Sequence, residues 1–239
     1  MSNPYFQFKQ FKVCHDRCAM KVGTDGVLLG AWASLENAAT VLDIGTGTGL
    51  IALMAAQRNP VARIAAVELD ADAACQAAEN VQASPWSSRV EVICADAKAY
   101  EPGMRFDAIV SNPPYFASSL KSPEAKRVRA RHVDELTFDD LLSSVGRLLA
   151  DEGEFSVVIP FDASFEFIAT AAGRGLYLVR RTVVRTLAGV PPKRVLLAFR
   201  RTFADGQNGI QDDELLIETE PRVYTEAYRL LTKDFYLSF

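Results

Sequence analysis

Histidine is scarce in this 239-residue chain, with two residues, and cysteine is limited to four. Cys14 and Cys18 flank His15 in the segment CHDRC, but a structural zinc site needs four ligands, as a rule in two clustered pairs. Cys75 and Cys94 supply no second pair, because one falls in a helical pattern and the other in a strand pattern. Reduced thiols and no bound metal are expected. Positive charge is not in excess: 26 Lys and Arg stand against 30 Asp and Glu, a net charge of −4. Proteins that coat nucleic acid indiscriminately are basic, so any nucleic-acid contact must come from a local patch. No apolar run has the length needed to span a bilayer. The first residues, MSNPYFQFKQFKV, lack the apolar stretch and small-residue cleavage site of a secretion signal. A cytoplasmic protein without membrane contact is expected, and no segment marks an obligate protein partner. Internal repeats, linkers and low-complexity blocks are absent.

What is present is an alternation. Aliphatic, β-branched runs at 40–45, 63–70, 90–96, 106–112 and 153–160 predict strands. Between them, 50–59, 71–84 and 137–150 have helical spacing. Strands alternating with helices of this length indicate βαβ units and a parallel sheet, and nearly continuous apolar strands indicate helices on both faces. A helix at 165–175 follows, then strands at 177–186 and 194–201. Their connection, LAGVPPK, is too short for a helical crossover, so they form an antiparallel hairpin. FKQFKV (8–13) predicts a small strand, 25–34 a helix, 214–220 an edge strand and 223–237 a helix-like end. The whole is expected to be a single α/β domain.

The strand-to-helix turn DIGTGTGL (43–50) is rich in glycine. Gly45 and Gly47 fit the start of G-x-G-x-x-G, but Leu50 stands where the third glycine belongs, and Gly49 makes the pattern G-x-G-x-G. Such a turn lets a ligand approach backbone N–H groups at a helix terminus, although by itself it is also an ordinary tight turn. Two carboxylates raise its significance. Glu68, at the end of the second strand, can accept from both hydroxyls of a ribose. Asp96, at the end of the third, can accept from an adenine amino group. Asp43, immediately before the loop, repels a phosphate and suits a cationic amino-acid moiety. The acidic frame therefore favours S-adenosylmethionine over a nicotinamide dinucleotide. A NAD-dependent oxidoreductase and a non-catalytic RNA-binding module remain the alternatives from other classes.

SNPPYF (111–116) ends the fourth strand with an amide, two imides and two aromatics. With DIGTGTGL, VELD and AD it resembles the successive motifs of class I S-adenosylmethionine-dependent methyltransferases of the N-P-P-Y branch, which act on planar nitrogens. The resemblance implies a Rossmann-like fold: a mostly parallel seven-stranded sheet with one antiparallel terminal hairpin and helices on both faces. It implies S-adenosylmethionine as cofactor and S-adenosylhomocysteine as product. The catalytic set expected is Asn112, Pro113, Pro114 and Tyr115. The nitrogen lone pair of such a substrate is delocalised into its ring. Carbonyls of Asn112 and Pro113, the latter held rigid by proline geometry, can accept its two N–H bonds while Tyr115 stacks on the ring. The cofactor-binding set is Gly45, Thr46, Gly47 and Gly49 with Asp43, then Glu68, Leu69, Asp96 and Ala97.

MKVGTDGVLLGAW (20–32), RVRARH and YRLLTKDFYL further resemble the bacterial valine-tRNA adenine-N6 methyltransferase family, which modifies the adenine on the 3′ side of the anticodon. That likeness implies Thr24 and Asp25 beside the methionine end of the cofactor. It divides the domain into a capping segment (1–39), a core (40–203) and a C-terminal extension (204–239). The short segment before the glycine loop leaves no room for the helical domain of release-factor glutamine methyltransferases, whose substrate, like another RNA base, remains the alternative within the class. Residues 120–132 carry Lys121, Lys126, Arg127, Arg129 and Arg131. Residues 180–201 are basic without an acid and include Lys193 and Arg194, whereas 205–220 are rich in Asp and Glu. Such segregation predicts a phosphate-binding surface for tRNA; the alternative is a solvated face.

Overall fold

The structure, a computed structural model, describes residues 3–18, 20–114, 136–202 and 209–238. The chain begins with an antiparallel hairpin of β1 (Tyr5–Gln7) and β2 (Lys12–Cys14). The strand expected over 8–13 starts instead as the turn of this hairpin, where the Phe8 N–H donates to the Phe11 carbonyl at 2.8 Å. In a strand, residues three apart face opposite ways. The turn lets Phe8 and Phe11 stack at 4.6 Å and bury together.

Helix α1 (Thr24–Trp32) buries every residue from Gly26 to Ala31. It packs closely on α2 (Leu50–Arg58), since a Cβ at Gly30 would lie 2.6 Å from the Met54 sulfur. The main sheet then forms from β3 (Thr40–Ile44), β4 (Arg63–Glu68), β5 (Val90–Cys94), β6 (Phe106–Ser111) and β7 (Leu149–Pro160), all parallel to their neighbours in this group. Helices α3 (Ala71–Gln82), α4 (Phe138–Leu148) and α5 (Ser164–Gly173) connect or follow them. The start of α4 is fixed by a capping box between Thr137 and Asp140.

Strands β8 (Tyr177–Leu187) and β9 (Arg194–Arg200) form the expected hairpin, with β9 antiparallel to both β8 and β7. The sheet does not stop there. β10 (Gln211–Glu220) adds in parallel to β8, and β11 (Val223–Tyr224) adds antiparallel to β10, giving nine strands in the order β11-β10-β8-β9-β7-β6-β3-β4-β5. The expected seven-stranded arrangement lies inside this larger sheet. A last helix, α6 (Glu226–Thr232), follows.

Alternate strand residues feed two apolar clusters, as the period of two requires. Val41, Ala108 and Val110 join α1 and α2 in one; Leu42, Ile109 and Val157 join α4 and α5 in the other. Phe8, Phe11, Val13, Tyr228 and Phe235 belong to the first cluster, so both ends of the chain pack on the α1–α2 side. Backbone and side-chain bonds from Lys9 to Phe235 and Lys233, and from Gln57 to Asp234, hold the tail there.

The segregated charge has a different destination from the phosphate surface expected of it. β8 and β10 are neighbours, and the acids of β10 pair with the arginines of β8. Arg181 donates through Nε to Asp212 and Arg185 through Nε to Glu214, both at 2.9 Å. Arg180 lies over the Trp32 ring at 3.7 Å, Arg200 donates to the buried Glu154, and Arg201 donates to the Leu149 carbonyl. Among the described residues, no helix is long and apolar enough to cross a membrane, and no group of three or more His, Cys, Asp or Glu is placed to hold a metal ion.

Candidate active site

The glycine loop between β3 and α2 is built on backbone conformations that side chains disfavour: φ is 71° at Gly45, 56° at Gly47 and 80° at Gly49. Its amides are turned inward. The Gly45 and Thr46 N–H groups both donate to the Val67 carbonyl, at 2.9 and 3.1 Å, and Gly49 N–H donates to Thr46. Gly47 N–H donates to Glu68 Oε2 at 2.8 Å. A phosphate cradle needs outward, unpaired N–H groups; at these four positions the donors are already engaged.

Asp43 lies behind the loop, in neither of the cavities described below, and is fully buried. The sequence placed it against a cationic ligand; in the structure one oxygen braces the loop, and the other, Oδ1, is buried with no hydrogen-bond partner among the described residues. Its Oδ2 accepts from the Thr46 hydroxyl at 2.6 Å and from Ala52 N–H at 3.2 Å. Burial pushes its carboxyl up to about 7, against the pull of those two bonds and with a further push from Glu68. A carboxyl with a raised folded pKa stabilises the fold in acid: the contribution is complete below the unfolded value and is lost as pH rises through about 7. Asp43→Asn should therefore remove a fall in stability between about pH 4 and pH 7, measured by urea unfolding across that range. An unchanged slope would show that Asp43 ionises as an ordinary carboxylate.

Two cavities meet in front of the loop. One, about 550 Å³, is lined by Gly45, Gly47, Glu68, Leu69, Asp96, Ala97, Asn112 and Pro114 among others. The other, about 230 Å³, is lined by Thr24, Asp25, Gly45, Thr46, Gly47, Asn112 and Arg194 among others. They share Met20, Gly45, Gly47 and Asn112, so they form one cleft with Asn112 at the junction. Most of the expected cofactor set is thus brought together. Gly49 and Pro113 line neither cavity: Gly49 caps α2 and packs against Ala77, and Pro113 is buried. Tyr115, Lys121, Lys126, Arg127, Arg129 and Arg131 lie outside the described residues.

Glu68 is half-buried and accepts from Gly47 N–H through one oxygen and from Asp70 N–H, at 3.0 Å, through the other. Each oxygen keeps a second acceptor site. Asp96 accepts from Lys98 N–H at 2.9 Å. Before Asn112, the buried Ser111 hydroxyl donates to the Ile44 carbonyl at 2.9 Å and ties β6 to β3. Asn112 Oδ1 is buried with no hydrogen-bond partner among the described residues. An orphaned buried acceptor is costly, and its place at the mouth of the cleft marks it as waiting for a donor from a ligand.

Residues 22–168 match the methyltransferase small domain family. The chain belongs to that family. Along 238 residues it is 56% identical to the tRNA1(Val) (adenine(37)-N6)-methyltransferase of Phocaeicola vulgatus, covering 100% of both chains. It is 52% identical to the protein of the same name from Bacteroides fragilis over 240 residues, 99% of each chain. A crystal structure described as a predicted O-methyltransferase, from Agrobacterium tumefaciens, shares the fold with a TM-score of 0.68 at 20% identity, covering 88% of this chain and 96% of that one.

The methyl donor of this methyltransferase is S-adenosylmethionine. The cleft fits it by the chemistry of its lining: acceptors at Glu68 and Asp96 for hydroxyl and amino groups, a glycine loop whose Gly45, Thr46, Gly47 and Gly49 amides are already engaged, and a second compartment for an amino-acid moiety. Several lining residues of the methyltransferase were not assigned to the site from sequence. Cys18 and Met20 come from the segment before α1, Asp70, Ala71 and Ala73 from the start of α3, and Leu136 from the residues before α4. The helix start did carry a signal, since Asp70 is an N-cap whose side chain accepts from Ala73 N–H; Cys18 and Met20 carried none. The Cys18 thiol is pushed up to about 11 by burial and by the Glu68 and Asp70 charges, so it is a neutral wall group.

Arg194, expected on an RNA surface, lies in the methyltransferase cleft and pairs with Asp25 at 2.6 Å. Both side chains are about one-fifth exposed, which leaves Arg194 holding α1 to the start of β9. Lys193 beside it is exposed.

Proposed function

We propose that this methyltransferase transfers a methyl group from S-adenosylmethionine to the exocyclic N6 of an adenine in the anticodon loop of a valine tRNA, acting in the cytoplasm as a single-domain enzyme. The observation that carries this is the Asn112 oxygen, without a partner among the described residues, at the junction of the two cavities. The near full-length relatives named above support the choice of substrate.

The cofactor supplies an electrophilic methyl group on a sulfonium. The residues of this chain do the positioning. Glu68 and Asp96 hold the ribose and adenine ends, and Thr24, Asp25 and Arg194 enclose the amino-acid end. Asn112 Oδ1 accepts one N6–H bond of the target and the Pro113 carbonyl the other, which draws the nitrogen out of conjugation and aims its lone pair. The methylated nitrogen is a strong acid and loses its proton to solvent, so no side-chain base is required. An anticodon-loop adenine is already partly unstacked, and its extrusion costs less than flipping a base from a duplex. The internally bonded glycine loop argues against a nicotinamide dinucleotide, whose pyrophosphate would need those amides.

The deciding measurement is mass spectrometry of valine tRNA from cells with and without the protein. N6-methyladenosine should disappear from the anticodon loop when the protein is absent. Its persistence would remove the valine tRNA as substrate.

A further inference from the structure

A third cavity, about 420 Å³, adjoins the cleft and shares Thr24 and Arg194 with it. Its remaining wall is dominated by Tyr224, Tyr228 and Tyr236, with Glu218 beside them. The Tyr224 and Tyr228 rings stack at 5.3 Å with 29° between their planes, and the Tyr228 and Tyr236 hydroxyls are 3.4 Å apart. Burial raises the pKa of both Tyr228 and Tyr236, so their phenols are neutral donors and acceptors. The cavity lies at the same end of the sheet as Asn112. Arg194 begins the antiparallel β9, and Glu218 stands near the end of β10, which runs parallel to β8.

Aromatic faces, a carboxylate that accepts N–H bonds and a guanidinium at the rim make up the chemistry that recognises a nucleobase. Extruding one base from a loop also strips its neighbour of a stacking partner. We propose that this cavity takes the nucleobase adjacent in the RNA to the methylated adenine, stacking it on Tyr224 while the adenine enters the cleft beside Asn112. Glu218 then selects a base that presents an N–H edge. This rests on the RNA substrate proposed above. It assigns the C-terminal strands and helix a part in substrate recognition, with Tyr224 as a binding residue outside the N-P-P-Y loop.

The test is methylation of valine tRNA in which each nucleotide flanking the target adenine is replaced in turn by an abasic one, using wild type, Tyr224→Ala and Tyr224→Phe. With wild type, the abasic change at one flank should lower kcat/KM by about ten-fold, in the range of one lost base–aromatic stack. Tyr224→Ala should lose a similar factor on intact tRNA and nothing more on the abasic one, while Tyr224→Phe keeps wild-type behaviour. S-adenosylmethionine affinity should be equal in all three. Losses that multiply, or a Tyr224→Ala variant that weakens cofactor binding as much as turnover, would overturn the subsite and leave the methylation itself standing. A wild-type protein that methylates no adenine in the intact tRNA would overturn both.

Discussion

Asn112→Ala should lower turnover by roughly a hundred- to a thousand-fold, the scale seen when one preorganised polar contact to a reacting group is removed. Cofactor affinity should be nearly unchanged, because the side-chain oxygen of Asn112 is assigned to the target nitrogen. The folded state should not suffer. Asn112 Oδ1 is a buried acceptor without a partner among the described residues, so removing it takes away a desolvation penalty rather than a bond. A melting temperature equal to or above wild type is expected alongside the loss of activity. Single-turnover methyl transfer and thermal unfolding of the same preparation measure both. Wild-type turnover in Asn112→Ala would place the acceptor elsewhere, and a large fall in stability would show that the amide is a structural tie.

Glu68→Ala should weaken S-adenosylmethionine binding by about 2–4 kcal/mol, since it removes charge-assisted acceptors for the ribose and also frees the loop. One Glu68 oxygen holds the Gly47 N–H and the other the Asp70 N–H, so this single side chain connects the glycine loop to the start of α3. Glu68→Gln keeps one acceptor oxygen for Gly47 and gives a donor where Asp70 offers another donor. It should therefore retain loop order better than Ala while still losing affinity. Calorimetry on the three proteins, with amide exchange at residues 45–49, separates the two contributions. Equal cofactor affinity in all three would remove Glu68 from the ribose site.

The parallel core was legible because its central strands β3, β6 and β7 are largely buried on both faces and carry an apolar signature that helices must cover. The strand ends were legible for the same reason. Once the strands are placed, Glu68, Asp96 and Asn112 fall at the carboxyl edge by counting. Two misplacements share a cause. Asp43 was taken for a ligand contact because position along the chain does not say on which side of a loop a side chain points. The arginines of β8 were taken for a phosphate surface because a charge run shows composition but not the neighbouring strand, and β10 is a neighbour only through a parallel pairing across intervening chain. The turn at Phe8–Phe11 was missed because Phe6-Gln7-Phe8 and Phe11-Lys12-Val13 each alternate as a strand does, and only the two polar residues between them, Lys9 and Gln10, mark the reversal.

The pairing of β8 with β10 sets how this enzyme should respond to salt. Residues 180–201 hold Arg180, Arg181, Arg185, Lys193, Arg194, Arg200 and Arg201, and every arginine among them has an acidic partner within the protein. A cation already neutralised from within displaces no counterion when a phosphate arrives. Only the exposed Lys193 remains in that stretch to do so, which makes its share of the log–log dependence of tRNA affinity on salt about one unit or less, not the seven that the bare sequence implies. Raising ionic strength should first loosen the arginine–carboxylate ladder along the sheet edge, so fold stability and RNA affinity ought to part company as salt increases.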